Sequence, residues 1–68
     1  MAVVKIIEII GESQVGWEDA ARVGFNKAAE TLENITGIEV TAMTAKATDG
    51  ELVQYRTTLK VAFVLKDR

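Results

Sequence analysis

The chain has 68 residues and a net charge of −2 from 8 basic and 10 acidic residues, with no cysteine, histidine or proline. This length allows one small domain, residues 1–68, whose core supplies only about 3–5 kcal/mol on its own. Without cysteine and histidine, disulfides, structural zinc sites and the commonest catalytic groups are excluded. The sequence therefore predicts no enzymatic activity, and association with further copies is the remaining common way to stabilise so small a domain.

The slightly acidic charge balance argues against binding to nucleic acid, for which a clustered basic surface is expected. No apolar run approaches the roughly 20 residues of a membrane span, and the N-terminus lacks the layout of a signal peptide. The sequence predicts a cytoplasmic protein that binds neither nucleic acid nor membrane.

The first predicted element is a strand over Ala2–Ile10, a run rich in β-branched residues in which Lys5 and Glu8 are the only charges. Large apolar residues occupy both of its alternating faces. We therefore expect this strand to be buried on both sides or paired at an interface. The tripeptide Gly11-Glu12-Ser13 is typical of a turn and predicts the end of the strand.

A single helix is predicted over Gly16–Asn34, because apolar residues recur there at steps of three and four. Gly16 is the expected N-cap, with Ser13 as an alternative. Gly24 in the helix interior costs about 1 kcal/mol relative to alanine. We expect it to be there because the helix backbone approaches the sheet closely.

The C-terminal half predicts a β-hairpin. Thr36-Gly37 leads into a strand over Ile38–Thr48, Asp49-Gly50 is a strong hairpin turn signal, and a last strand covers Glu51–Lys66. At about 3.3 Å per residue the last strand would span roughly 50 Å, whereas a compact chain of this size has a radius of gyration of about 11 Å. We therefore expect this strand either to curl strongly or to extend beyond the core and be covered by another copy.

These elements predict an α+β fold of the order β-α-β-β, in which the helix covers one face of a three-stranded sheet. On the last strand, the odd-numbered side chains from Val53 to Leu65 are expected to face the helix. The even-numbered side chains would stay exposed in a monomer, and among them are Leu52, Arg56, Ala62 and Val64. Exposed apolar surface of this kind marks an interface or a ligand site.

Trp17 and Arg56 are candidate binding residues, and each has a structural alternative. Trp17 would be a stacking platform for an aromatic ligand or an apolar anchor of the first helical turn, and its place on the apolar stripe favours the anchor. Arg56 would bind a carboxylate, a phosphate or the polar edge of a ring. Its alternative is an inter-subunit ion pair with Glu39 on the neighbouring strand.

Carboxylates are candidates for a cation site. Asp49 and Glu51 flank a glycine and would contribute to a calcium site, but the same residues are ordinary in a turn, and the absence of EF-hand spacing favours the turn. In a symmetric assembly, however, a single carboxylate is repeated as a ring around each axis.

The sequence resembles the dodecins, a family of small flavin-binding proteins, along essentially its whole length. The matching segments are KIIEIIGES at 5–13, GWEDAA at 16–21, AAETLENI at 28–35, IEV at 38–40, DGELVQY at 49–55 and LKVAFVLK at 59–66. The resemblance implies a β-α-β-β subunit whose three-stranded antiparallel sheet curls around one helix. It also implies a hollow homododecamer of such subunits.

The resemblance further implies a ligand pocket, from which this chain departs at two positions. The family ligand is a flavin (FMN or riboflavin) held in pairs between stacked tryptophans. Gly37 occupies the tryptophan position, and Glu39 matches a glutamate two residues later. Arg56 occupies the position of a glutamine that binds the flavin ring edge, next to the matching Tyr55. The implied cofactor-binding positions are therefore Arg56, Gly37 and Glu39.

Two functions follow as hypotheses. The first is a small-molecule binding and storage shell that holds flavin in a modified pose, or another anionic or planar ligand recognised by Arg56. The second is a structural or divalent-cation-binding assembly without flavin, in which carboxylates such as Glu12, Asp49 and Glu51 gather at symmetry axes.

Overall fold

Three strands and one helix make up the part of the chain that the computed structural model describes, residues 2–66. Their order confirms the predicted α+β fold with a β-α-β-β arrangement. The elements are β1 (Val3–Ser13), α1 (Trp17–Ala29), β2 (Ile35–Thr48) and β3 (Glu51–Leu65).

The long strand β3 lies in the centre of the sheet, which has the order β1-β3-β2, and it is antiparallel to both neighbours. The hairpin from β2 to β3 turns at Asp49 and Gly50, whose φ angles of 53° and 80° are both positive. A two-residue turn of this kind matches the twist of its strands, which confirms the predicted hairpin. Three register shifts interrupt the pairing of β2, and such bulges bend the strand that carries them.

The core lies between α1 and the middle of β3. Thr57, Leu59 and Val61 are at most 1% exposed, and Ala28 of α1 clusters with Leu59 and Val61. Since these β3 residues are odd-numbered, the face predicted to contact the helix is confirmed for the middle of the strand, whereas Val53 and Leu65 at its ends are exposed. Further apolar side chains pack around this cluster, namely Ile7, Ile9, Ala21, Leu32 and Ile35.

The backbones of α1 and β1 touch where Gly11 lies opposite Ala20 and Gly24. A Cβ atom at Gly11 would overlap the carbonyl oxygen of Ala20, and one at Gly24 would lie 3.4 Å from the Gly11 Cα. The prediction for Gly24 is confirmed. The interpretation of Gly11-Glu12-Ser13 as a turn is wrong, because β1 continues to Ser13. The glycine serves close helix packing there and does not end the strand.

Trp17 fastens the first turn of α1 to the sheet. Its Nε1–H donates to the Thr44 carbonyl at 2.8 Å, and its ring meets the ring of Tyr55 edge to face at 4.9 Å between centroids. The Thr57 hydroxyl donates to the Trp17 carbonyl at 2.9 Å. These contacts confirm the anchor interpretation of Trp17. The cap of α1 is Gly16, as predicted, while the Ser13 hydroxyl instead accepts the Val15 N–H and donates to Asp19.

The helix is shorter than predicted and β2 is longer. α1 ends at Ala29, five residues before the predicted end at Asn34, and β2 starts at Ile35 and not at Ile38. Asn34 has a φ of 64°, a left-handed conformation that asparagine tolerates better than most residues, and its carbonyl accepts the N–H of Val64. The apolar periodicity continued past the helix because Leu32 and Ile35 still pack on the core.

The sheet extends well beyond the helix. The described chain measures 54 × 19 × 12 Å, and its radius of gyration is 14.1 Å against about 11 Å expected for a compact chain of this length. The prediction that the last strand extends beyond the core is confirmed. On β1, Val4, Ile6 and Ile10 are each more than half exposed in the single copy.

Within residues 2–66, α1 is neither long nor apolar enough to cross a membrane. The cytoplasmic location stays a prediction. So does the assignment of residues 1–68 to one domain, since Met1, Asp67 and Arg68 lie outside the described residues.

Gly11→Ala is expected to destabilise the fold, because its methyl group would meet the Ala20 carbonyl. Overpacking of this kind lowers the free energy of unfolding by about 1–3 kcal/mol, measured by urea denaturation at fixed protein concentration. The matched control is Gly37→Ala, since an added Cβ there meets nothing within 4 Å and a change within about 0.5 kcal/mol is expected. Equal effects of the two substitutions would contradict the close packing.

Trp17→Phe is expected to lower the free energy of unfolding by about 0.5–1.5 kcal/mol through loss of the hydrogen bond to Thr44. Tyr55→Phe is the control, because it keeps the ring that meets Trp17 and is expected to change stability by less than about 0.5 kcal/mol. Thermal and urea unfolding of both variants measure the difference. If Tyr55→Phe costs as much as Trp17→Phe, the indole hydrogen bond is not the anchor.

Candidate ligand-binding face

The three residues predicted to form a pocket lie on the face of the sheet that points away from α1, called here the outer face. Directly opposite residues of paired strands share a face, and β2 places Gly37 opposite Ala62 and Glu39 opposite Lys60. Arg56 is even-numbered like these β3 partners, while Leu59 and Val61 face the helix. Gly37, Glu39 and Arg56 therefore share the outer face.

One copy does not bring these three positions together. Arg56 lies six residues along β3 from the partner of Gly37, a separation of about 20 Å, and four residues from the partner of Glu39, about 13 Å. Gly37 and Arg56 are therefore too far apart in one subunit to contact the same ring. A pocket made from these positions needs residues from more than one copy.

Arg56 pairs with Glu12 across the sheet. The Nε of Arg56 lies 2.7 Å from Oε2 of Glu12, and Gln54 donates from Nε2 to Oε1 of the same carboxylate at 3.2 Å. The arginine and glutamate side chains are 55% and 43% exposed, so the pair contributes at most about 1 kcal/mol to stability. The partner of Arg56 within the described subunit is thus Glu12, and the inter-subunit pair with Glu39 stays a prediction.

The Glu12 partner was missed because residues 11–13 were interpreted as a turn. The signal that could have found it is the alternation of Val4, Ile6, Glu8 and Ile10, which continues to Glu12 if the strand runs on. Glu12 then lies on the same face as these residues, and the register sets it opposite Arg56.

A recess of about 200 Å³ opens beside Arg56, toward the hairpin. Its walls come from two directly opposite pairs of β2 and β3, Thr44 with Arg56 and Lys46 with Gln54, together with Ala45. Among residues 2–66, Lys46 makes no ion pair. Sequence reasoning did not single out Lys46, although its alternation with Thr44 places it on the outer face once the register with β3 is known.

The surroundings of Gly37 are open. No atom lies within 4 Å of a Cβ built at this position. Gly37 also borders a cleft of about 570 Å³ between α1 and the start of β2, at whose rim Arg22 pairs with Glu18 at 2.7 Å. The other residues that line this cleft are Ala21, Phe25, Asn26, Ile35, Thr36 and Ile38.

The outer face offers no aromatic ring for flavin stacking. The sequence contains four aromatic residues. Trp17 and Phe25 belong to α1, and Tyr55 and Phe63 are odd-numbered residues of β3 that share the helix-facing side with Leu59. The residues of the outer face therefore do not suit a flavin held by ring stacking. Arg56, in contrast, suits an anionic group.

The carboxylates named as cation ligands are not gathered within one subunit. Among the described residues, no group of three or more acidic side chains is placed to hold a metal ion. Glu12 is engaged by Arg56 and Gln54, whereas Asp49 and Glu51 lie exposed at the hairpin. A ring of carboxylates from several copies stays a prediction.

Comparison with known proteins gives consistent matches over almost the whole chain. The sequence profile of the family described as Dodecin matches residues 3–66. Calcium dodecin of Mycobacterium tuberculosis is 30% identical over 66 residues, which make up 97% of this chain and 93% of that protein. The crystal structure of that protein, which has a novel calcium-binding site, superposes with a TM-score of 0.82 at 31% identity, over 94% of this chain and 91% of that one.

Two further dodecin structures are similar. Dodecin from Streptomyces davaonensis has a TM-score of 0.91 and 32% identity, and the alignment covers 97% of both chains. Dodecin from Streptomyces coelicolor has a TM-score of 0.93 and 27% identity, over 98% of this chain and 96% of that one.

The profile match, the relatives at 30% identity or more and the shared β-α-β-β fold agree with one another. They also agree with the segments that suggested the resemblance in the sequence. The chain belongs to the dodecin family of small binding and storage proteins.

Proposed function

We propose that this protein is a non-catalytic binding and storage protein that assembles as a homododecamer and holds small molecules between copies on the outer face. The observation that carries the proposal is the placement of Gly37, Glu39 and Arg56. They share the outer face, yet lie too far apart within one copy to form a pocket.

The outer face has the character of an interface. Val4, Ile6, Ile10 and Leu52 are each more than half exposed in the single copy. Exposed large apolar side chains of this kind mark a contact site. Covering it with further copies buries this surface and brings the ligand positions of different subunits together.

The ligand is not held by stacking between tryptophan rings, as flavin is in the family. Stacking on an aromatic ring contributes roughly 1–3 kcal/mol per contact in nucleic-acid complexes, which is about five- to 150-fold in affinity. With Gly37 in the stacking position, that contribution is lost on both sides of a ring. We infer that the ligand is instead anionic, or a flavin in an altered pose, and that Arg56 binds it through its charge.

Gly37→Trp is expected to increase affinity for riboflavin. The site accepts a side chain, because an added Cβ meets nothing within 4 Å, and each new stacking contact strengthens binding about five- to 150-fold. Isothermal titration calorimetry measures the riboflavin affinity of the variant and of the parent protein.

Gly37→Leu is the matched control, since it adds apolar bulk without an aromatic ring. Its riboflavin affinity is expected to stay within a few-fold of the parent protein. If Gly37→Trp folds and assembles like the parent but gains no affinity for riboflavin, Gly37 does not border the ligand site.

A second candidate function is calcium binding, which the calcium dodecin relative favours. Of the three carboxylates predicted as cation ligands, Glu12 is engaged by Arg56 and Gln54, so the exposed hairpin residues Asp49 and Glu51 remain available to gather from several copies. Carboxylate oxygens are the ligands that calcium prefers.

Calcium is expected to stabilise the assembly if this second function holds, by about 2.7 kcal/mol at a concentration one hundred times the dissociation constant. The double variant Asp49→Asn with Glu51→Gln should lose the effect in thermal unfolding, while Glu30→Gln, at the C-cap of α1, should keep it. An unfolding temperature that calcium and chelator leave unchanged would rule out the calcium site.

A further inference from the structure

The recess beside Arg56 is a cationic site within an acidic protein. Two of its five lining residues, Lys46 and Arg56, are basic and none is acidic, although the chain as a whole carries a net charge of −2. Within the described residues, Lys46 makes no ion pair, and Glu12 is the only carboxylate paired with Arg56. The cluster of Lys46, Arg56 and Glu12 therefore keeps one uncompensated positive charge.

The walls of the recess are held in place from both sides of the sheet. On the helix side, the Thr44 carbonyl accepts the indole N–H of Trp17 at 2.8 Å. On the outer face, the Glu12 carboxylate contacts both Arg56 and Gln54. These contacts hold the backbone at Thr44 and the side chains of Arg56 and Gln54, which therefore lose less freedom when they bind a ligand.

The size of the recess suits one chemical group and not a whole cofactor. Its volume of about 200 Å³ is below the roughly 300–1,000 Å³ of pockets that enclose drug-sized ligands. The guanidinium of Arg56, the ammonium of Lys46 and the hydroxyl of Thr44 are all hydrogen-bond donors. A phosphate monoester offers three acceptor oxygens and carries about −1.5 to −2 charges at pH 7.

We propose that Thr44, Lys46, Gln54 and Arg56 form a subsite for the phosphate group of a phosphorylated ligand, with Glu12 as the competing carboxylate that positions Arg56. This inference deepens the proposed function, because it names the ligand class for the outer face. All of these residues belong to one copy, so the phosphate subsite is present whether or not the pocket between copies exists.

Titration of the assembled protein with inorganic phosphate at constant ionic strength tests the subsite by calorimetry. Binding is expected for the parent protein, and Lys46→Gln and Arg56→Gln should each weaken it about tenfold or more, since each removes a charged donor. Lys60→Gln is the matched control. It removes the same charge from the outer face of β3, four residues outside the recess, and should stay within about twofold.

Glu12→Gln tests the two roles of Glu12 separately, namely its negative charge, which competes with phosphate, and its contact with Arg56. Glutamine keeps an oxygen that can contact Arg56 but removes the negative charge, so phosphate affinity is expected to rise about two- to fivefold. An unchanged affinity would overturn the competing role of Glu12. Circular dichroism and the subunit count of each variant confirm that it folds and assembles.

A second titration uses acetate, because a carboxylate offers fewer oxygens and less charge than phosphate. Acetate binding at least tenfold weaker than phosphate supports the assignment, and equal binding overturns it. The subsite itself is overturned if the parent protein binds no phosphate, or if Lys60→Gln weakens binding as much as Lys46→Gln. Phosphate binding together with a Gly37→Trp variant that gains no riboflavin affinity would leave this subsite standing and reject only the pocket between copies.

Discussion

The structure depends on a mismatch in length between its one helix and its sheet. The 13 residues of α1 span about 20 Å, whereas the 15 residues of β3 span about 50 Å. The helix therefore covers the middle of one sheet face and leaves both ends of that face and the whole outer face uncovered. The proposed assembly would bury the rest of this sheet by contact with other copies.

The two faces of β3 consequently have separate roles. On the helix side, Gly11 and Gly24 bring two backbones into contact, and Leu59 and Val61 form the centre of the core. This side makes the subunit. The outer face carries exposed apolar residues interrupted by charged ones, and the pocket positions implied by the family lie there. In the proposed function the ligand site and the assembly interface are the same surface, so a glycine at position 37 is expected to alter binding without disturbing the fold.

Much of the fold was predictable because its signals are local. The alternation of side chains gave β3 and the face that contacts the helix, and Asp49-Gly50 gave the hairpin. The errors arose where a tertiary contact decides the outcome. The tripeptide Gly11-Glu12-Ser13 has the composition of a turn, but Gly11 lies in β1 because α1 packs closely against it. The apolar period continues beyond Ala29 although the helix ends there, because Leu32 packs on the core from outside the helix.

The candidate site was less predictable than the fold. Gly37, Glu39 and Arg56 were named through a family resemblance, and their common face follows only from the register of three strands. The pairing of Glu12 with Arg56 and the role of Lys46 were missed because residues distant in sequence become neighbours only in the sheet. The central claim is that copies of this chain cover the outer face. Mass spectrometry under native conditions tests this claim most directly: a homododecamer is the predicted result, and a monomer at micromolar concentration would contradict the account.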